Sequence, residues 1–378
     1  MTDNAMTPEV ELAAKEQRVT ELLDREGLDG LLLSKNGNFA WITCGGDNHV
    51  GVNTDTGVAH VLLTRSGRWI ICENIEARRV MDEEVARLGF TCESFYWYEG
   101  SLQCALERLV PGANIASDTG LAGTRSIEAQ LPPLRASLLP GEVARYRAAG
   151  ALTAECMTEA CHKIKPGMTE HQVAGLLGGA MLARGVFPVV LLVAADERAF
   201  TYRHPIPTDK RIERHAMIVT CGRRHGLIVS MTRLVHFGAL PDELRRKHDA
   251  VTRVDAALFA ATLPGARIGD VFQAGVKAYA DAGFPDEWRL HHQGGPTGYA
   301  NRDYRATAAS DQLVVENQAF AWNPSIAGTK SEDTIIASRD GIDVISSTPE
   351  LPTLEVTVGG RVFRRADIVC IARRATPE

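Results

Sequence analysis

The chain has 378 residues, 45% hydrophobic and 23% charged, a balance that excludes a disordered or fibrous polypeptide. Asp and Glu (47) outnumber Lys and Arg (41), giving a formal charge of −6, and basic residues gather only in short clusters such as Arg223-Arg224 and Arg245-Arg246-Lys247. A surface built on phosphate contacts is therefore excluded, and no nucleic acid is expected as a partner. The longest apolar run, 186–195, is half of the roughly 20 residues a membrane helix needs, so no membrane partner is expected either. The first residues carry Asp3, Glu9 and Glu11 and lack the basic-then-apolar pattern of a secretory signal. The eight cysteines are scattered without a Cys-x-x-Cys pair, which reads as reduced thiols in a cytoplasmic protein.

In chain order, a helical period over 10–25 stops at Gly27, and 29–34 is a short apolar strand. Residues 58–64 and 68–72 are strand-like runs around the hairpin signal Ser66-Gly67. A helix over 75–88, a strand over 90–98, a helix over 101–109 and a strand over 114–117 complete an α/β unit. The Pro-rich stretch from Leu131 to Pro140 reads as a boundary, dividing the chain into domains 1–138 and 139–378. Beyond it come long helices over 142–165 and 169–184, the second with Thr169 as N-cap. Strands are expected over 187–193, 217–221 and 227–235, helices over 242–262 and 268–282, and further strands over 313–315, 319–322, 333–336 and 343–346. Runs of strands and runs of helices in one domain predict an α+β fold with a largely antiparallel sheet.

Small polar residues and histidines punctuate the apolar strands of the second domain. Thr220 and Ser230 lie at similar heights on the two arms of a hairpin turning at Arg223-Arg224-His225-Gly226. His291-His292-Gln293-Gly294-Gly295 is a histidine pair running into a Gly-rich loop, where a backbone can approach a ligand closely. Asn323 ends a strand before Pro324, and Glu332 precedes the apolar strand that starts at Asp333. Each has an ordinary structural explanation when taken alone: Thr and Ser are common in strands, and Asn before Pro is a usual turn. No Gly-x-Ser-x-Gly elbow occurs, and the glycines after His292 open no helix, so neither a serine nucleophile nor a dinucleotide cofactor is expected.

Taken together and in order, these segments resemble the pita-bread superfamily of creatinase, aminopeptidase P and prolidase. The resemblance rests on Leu139-Pro140-Gly141-Glu142-Val143, Lys165-Pro166-Gly167-Met168-Thr169-Glu170, His204-Pro205 with Pro207-Thr208, Thr232-Arg233 and Glu332-Asp333. It implies a C-terminal pita-bread domain preceded by a smaller α/β creatinase-type domain. It also implies five metal-ligand positions, filled in the peptidases by Asp, Asp, His, Glu and Glu. Here these fall on Thr220, Ser230 (with Met231 as the other candidate), His292, Asn323 and Glu332. One carboxylate in place of four cannot balance two divalent ions, so no metal and no other cofactor is expected.

Creatinase works without metal on this fold, and by that resemblance His204 is the expected acid and base, with Glu332 and His292 as its catalytic companions. Asn323, Thr220, Ser230, Thr232, Tyr299 and Arg302 are the expected substrate-binding residues. The implied function is metal-independent hydrolysis of a C–N bond, amide or amidine in type, in a small amino-acid-like metabolite. The alternatives are a non-catalytic binding protein derived from a peptidase, a metal-free lyase, and an Xaa-Pro-type metallopeptidase with atypical ligands. A homodimer is implied as well, the polar loop 47–54 of one subunit closing the other's cleft.

Overall fold

The computed structural model describes residues 6–372 and divides into two compact units. One runs as far as Arg145 and takes in His225–Leu227. The other comprises Tyr146–Arg224 and the chain from Ile228 onward. The fold is mixed α/β, and among the described residues no helix is long and apolar enough to cross a membrane.

In the first unit the order is α1 (Pro8–Glu26), β1 (Gly30–Lys35), α2 (Asn36–Ile42), β2 (Thr56–Thr64), β3 (Gly67–Glu73), α3 (Asn74–Arg79), β4 (Thr91–Phe95), α4 (Leu102–Leu109), β5 (Ile115–Ser117), β6 (Arg125–Ser126) and α5 (Pro132–Ala136). The strands form one mixed sheet in the order β4-β3-β2-β1-β5-β6. The Leu32, Leu62 and Ile71 side chains pack there against Ala105 and Leu106 of α4. Lys15 is fully buried, its Nζ 2.6 Å from Glu11, 3.1 Å from Glu142 and 2.5 Å from the Trp41 carbonyl oxygen. The second and third of these partners explain why a lysine is tolerated inside: a buried ammonium needs its charge balanced and its protons placed.

The second unit contains α6 (Pro140–Lys163), which begins in the first, then α7 (Glu170–Ala183), β7 (Phe187–Ala195), α8 (Glu197–Thr201), β8 (His215–Arg224), β9 (Leu227–Phe237), α9 (Asp242–Ala261) and α10 (Ile268–Asp281). It continues with β10 (Gly294–Pro296), β11 (Gln318–Trp322), β12 (Ser325–Ile326), β13 (Thr329–Lys330), β14 (Asp333–Ser338), β15 (Gly341–Val344), β16 (Thr353–Val358), β17 (Arg361–Ala366) and β18 (Val369–Ile371). Two four-stranded sheets dominate, ordered β18-β9-β8-β7 and β10-β11-β14-β15. Helices α6 and α7 cover the first through Met157, Cys161, Leu177 and Met181, packed on Ile218, Met231 and Val235. Helices α9 and α10 cover the second through Val254, Phe259 and Phe272, packed on Phe320, Trp322 and Ile335. Each sheet thus spends one face on its helix pair and leaves the other for the site.

The expected strand over 313–315 is not formed. Leu313 makes only a single bridge to Arg267, and Leu313 and Val315 are exposed. The hairpin of β16 and β17 was not anticipated: its arms alternate charged and apolar residues weakly, and most of its surface is solvated.

Candidate functional site

Strand alternation decides which residues reach the cleft. In β8, Ala216 and Ile218 belong to the helix-backed core, so Thr220 faces the same way. Its hydroxyl is 3.0 Å from the Val190 carbonyl oxygen, to which it donates, and 3.5 Å from the Met181 sulfur of α7. Thr220 therefore faces the helix-backed side of the sheet and not the cleft where its substrate-binding role was expected, and Val219 and Cys221 line the cleft. In β9 the same rule separates the two candidates for the second position. Met231 lies in the core under the helices. Ser230 faces the cleft, its Oγ 3.2 Å from both Cys221 Sγ and Arg302 Nη1.

The shared sequence pairs Thr232-Arg233 and Glu332-Asp333 interlock two segments. Thr232 donates its hydroxyl to Glu332 Oε2 at 2.7 Å, and its N–H to the Glu332 carbonyl at 3.1 Å. Behind them Arg233 donates to Asp333 at 2.8 Å, and Arg365 bridges Asp333 and Asp255 at 2.6 and 2.8 Å. All of these are buried, so Glu332 stands on a charge-balanced foundation.

Histidine 204 sits on the loop between α8 and β8. Buried Glu170, at the start of α7, holds both ends of that loop: it accepts from Arg198 at 2.9 Å and from the Thr208 hydroxyl at 2.7 Å. Arg203 pins the middle, donating to Ser325 at 3.1 Å and to Glu287 at 2.5 Å. The result brings His204 Nε2 to 3.2 Å from His291 Nε2, with His291 stacked on His292 at a ring separation of 4.5 Å. The next residue after the pair, Gln293, is locked by the Tyr279 hydroxyl at 3.0 Å. Gly294 then adopts φ +101° where β10 meets β11, with no room for a side chain.

These elements enclose a cavity of about 420 Å³. Of the expected site residues, His204, His292, Asn323, Glu332 and Arg302 line it. Arg305, Tyr304, Cys221 and Lys330 line it as well. Tyr299 is buried and lies outside the described lining, so Tyr304 supplies the aromatic wall. Lys330 is the residue sequence reasoning missed. It lies two positions before Glu332, and its Nζ is 2.7 Å from Glu332 Oε2, with both side chains almost fully buried. Arg302 Nη2 reaches Glu332 Oε1 at 3.3 Å. Among the described residues no hydrogen bond joins Glu332 to His204; His291, absent from the expected catalytic group, takes that place.

The electrostatics follow from this arrangement. Burial would raise the Glu332 carboxyl, but the Lys330 and Arg302 charges outweigh it and hold it below the usual range. Burial, helped by the Lys330 charge, lowers His204. Burial also lowers His292 to about 4 and His291 to about 2. All three imidazoles are therefore neutral at pH 7. The Asn323 Oδ1 atom is buried and accepts no hydrogen bond.

Residues 144–345, more than half of the chain, match the profile of Metallopeptidase family M24. The chain belongs to that family. Membership in M24 makes it a peptidase-like hydrolase by family. A relative from Staphylococcus aureus, named only as an uncharacterized peptidase, is 21% identical over 64% of this chain and 69% of its own. The solved Xaa-Pro dipeptidase from Bacillus anthracis superposes with a TM-score of 0.77 at 17% identity, covering 95% of this chain and all of that one. The prolidase from Pyrococcus horikoshii gives 0.75 at 18%, covering 88% and 98%. At such identities the likeness establishes the two-domain pita-bread fold and nothing finer.

The family description implies a metal, and the residues present do not fit a dinuclear carboxylate centre. The one carboxylate, Glu332, already accepts from Lys330, Thr232 and Arg302, and a lysine ammonium stands at its oxygen. Thr220 is turned to the helices, and hydroxyl and amide groups supply no charge. The remaining donors, His204, His291 and His292, have ligand atoms within 4.8 Å of one another. They form an all-imidazole group of the kind that suits a single borderline ion, not a hard pair.

Proposed function

We propose that this M24 chain is a metal-independent hydrolase of a C–N bond in a small amino-acid-like amide, with His204 as general base and then general acid. A neutral imidazole at the mouth of a small-molecule cavity can take a proton from water as it attacks the amide carbonyl. The same proton is then returned to the departing nitrogen, so acid and base are one residue. His291, 3.2 Å away, fixes the tautomer and orientation of His204 through their shared hydrogen bond. The charge growing on the carbonyl oxygen is met by the cations at Arg302 and Lys330, both held in place by Glu332. Glu332 is thus a positioning residue, its charge already matched by Lys330 and Arg302.

The observation that carries this reading is the Lys330–Glu332 contact of 2.7 Å, which puts a fixed ammonium beside the one carboxylate of the cleft. The test is turnover of a small-amide library by chelator-treated protein. Activity should survive chelation and fall by about 10²–10⁴-fold in His204→Ala. Activity that requires added Mn²⁺, Co²⁺ or Zn²⁺ would reject the proposal, as would binding of library members without turnover of any.

A further inference from the structure

The cleft has an unusual charge for a family described as metallopeptidases. Arg302, Arg305 and Lys330 line it against the single carboxylate of Glu332, three positive charges to one negative, a formal excess of +2. Two of the cations are already engaged with Glu332. Arg305 is different: among the described residues its guanidinium makes no ion pair or hydrogen bond, and it stands exposed at the cavity edge. Deeper in the site, Asn323 is 3% exposed, and its Oδ1 has no donor. An unpaired buried acceptor is destabilising unless something supplies an N–H.

We propose that the substrate is a small N-acylated amino acid with a net negative charge, its carboxylate held by Arg305 in the positive field of Lys330 and Arg302 and its amide N–H donated to Asn323 Oδ1. The inference rests on the hydrolase reading and adds to it a substrate class. A free amino terminus is disfavoured, because an ammonium in this cavity meets three cations and finds the Glu332 oxygens already taken. Acylation removes that charge and leaves the amide hydrogen that Asn323 lacks. Guanidinium groups favour carboxylates through paired N–H donors, so Arg305 supplies geometry as well as charge. Hydrolysis of such a compound adds water across the acyl C–N bond, releasing a carboxylic acid and the free amino acid.

The test separates binding from turnover by using His204→Ala, a variant that leaves Arg305 and Asn323 intact. N-acetylglycine, its neutral counterpart N-acetylglycinamide, and the zwitterion glycylglycine are titrated at pH 7.5 and low salt, with affinities read from NMR shifts. N-acetylglycine should bind at least about tenfold more tightly than either comparison compound. Adding Arg305→Gln should bring the preference over N-acetylglycinamide close to unity. Asn323→Ala should weaken both N-acetyl compounds alike. Equal or tighter binding of glycylglycine, a preference untouched by Arg305→Gln, or no binding of N-acetylglycine overturns the proposal. Because no catalysis is involved, any of these results leaves the hydrolase reading to its own test.

Discussion

At the scale of single residues, Lys330 reorganises the cleft. Its charge sits against Glu332 and also acts on His204, where it adds to burial in lowering the imidazole. Replacing it, as in Lys330→Met, should move two titrations upward. The His204 value returns toward the ordinary 6.5, and the Glu332 carboxyl, losing its nearer cation, rises as well. The imidazole can be followed directly by NMR, and the acid limb of any pH–rate profile should shift to higher pH with it. An unchanged His204 titration would mean that Lys330 does not set the protonation of that imidazole. Asp333 offers a contrasting case. It holds two buried arginines, so Asp333→Asn should cost about 3–5 kcal/mol by leaving their charges poorly matched. Urea unfolding would measure the loss.

Among the elements, short connections do the positioning. The capping box of α7 is complete: the Thr169 hydroxyl accepts from the Gln172 N–H at 3.1 Å, and the Gln172 side chain accepts from the Thr169 N–H at 2.9 Å. Thr169→Ala should cost about 1 kcal/mol of stability. Because Glu170 follows directly and clamps both ends of the His204 loop, the variant should also loosen that loop, measurable as faster amide exchange around 202–208. Gly294→Ala should act more severely. A Cβ there would lie 2.1 Å from the Ala321 carbonyl oxygen, so β10 must shift and carry the histidine pair with it. Its signature is loss of the His204–His291 contact with little change in overall helicity.

The helices and most strands were legible in the sequence because their periods and stop signals are strong, while the Thr232-Arg233 and Glu332-Asp333 pairs, which carry the family resemblance, interlock beside the candidate cleft. The direction of the β8 residues was harder to read, since Thr220 and Cys221 are both plausible until the core fixes which face is inside. Lys330 was overlooked for a different reason. Its importance depends on a contact made two residues along the chain, at a spacing where a lysine would ordinarily be taken as solvated.

At the scale of the whole molecule, buried neutral histidines set the response to acid. Burial lowers His60, His215, His248 and His292 to about 4 and His291 to about 2. The unfolded chain therefore takes up protons first as pH falls. Stability is unaffected by these groups above about pH 6.5 and declines below it until the folded values are reached, by at most about 1.4 kcal/mol per pH unit for each group. Asp255, raised to about 6 by burial, and Asp118, also raised by burial, work in the opposite sense but are two groups against five. Urea midpoints should therefore fall steadily between pH 6.5 and 5. The second unit, which holds all of these histidines except His60, should lose more than the first. A flat profile over that range would contradict the buried neutral state.

The Lys330–Glu332 contact also constrains which substitutions the cleft accepts. Removing the lysine alone strands an anion in a nearly dry wall, while adding acidic side chains around it crowds like charges. A change to either partner is therefore penalised on its own, and the two must change together. The exposed rim, where Arg305 stands, is under no such lock, so new ligand preferences are reached more readily there than in the buried wall.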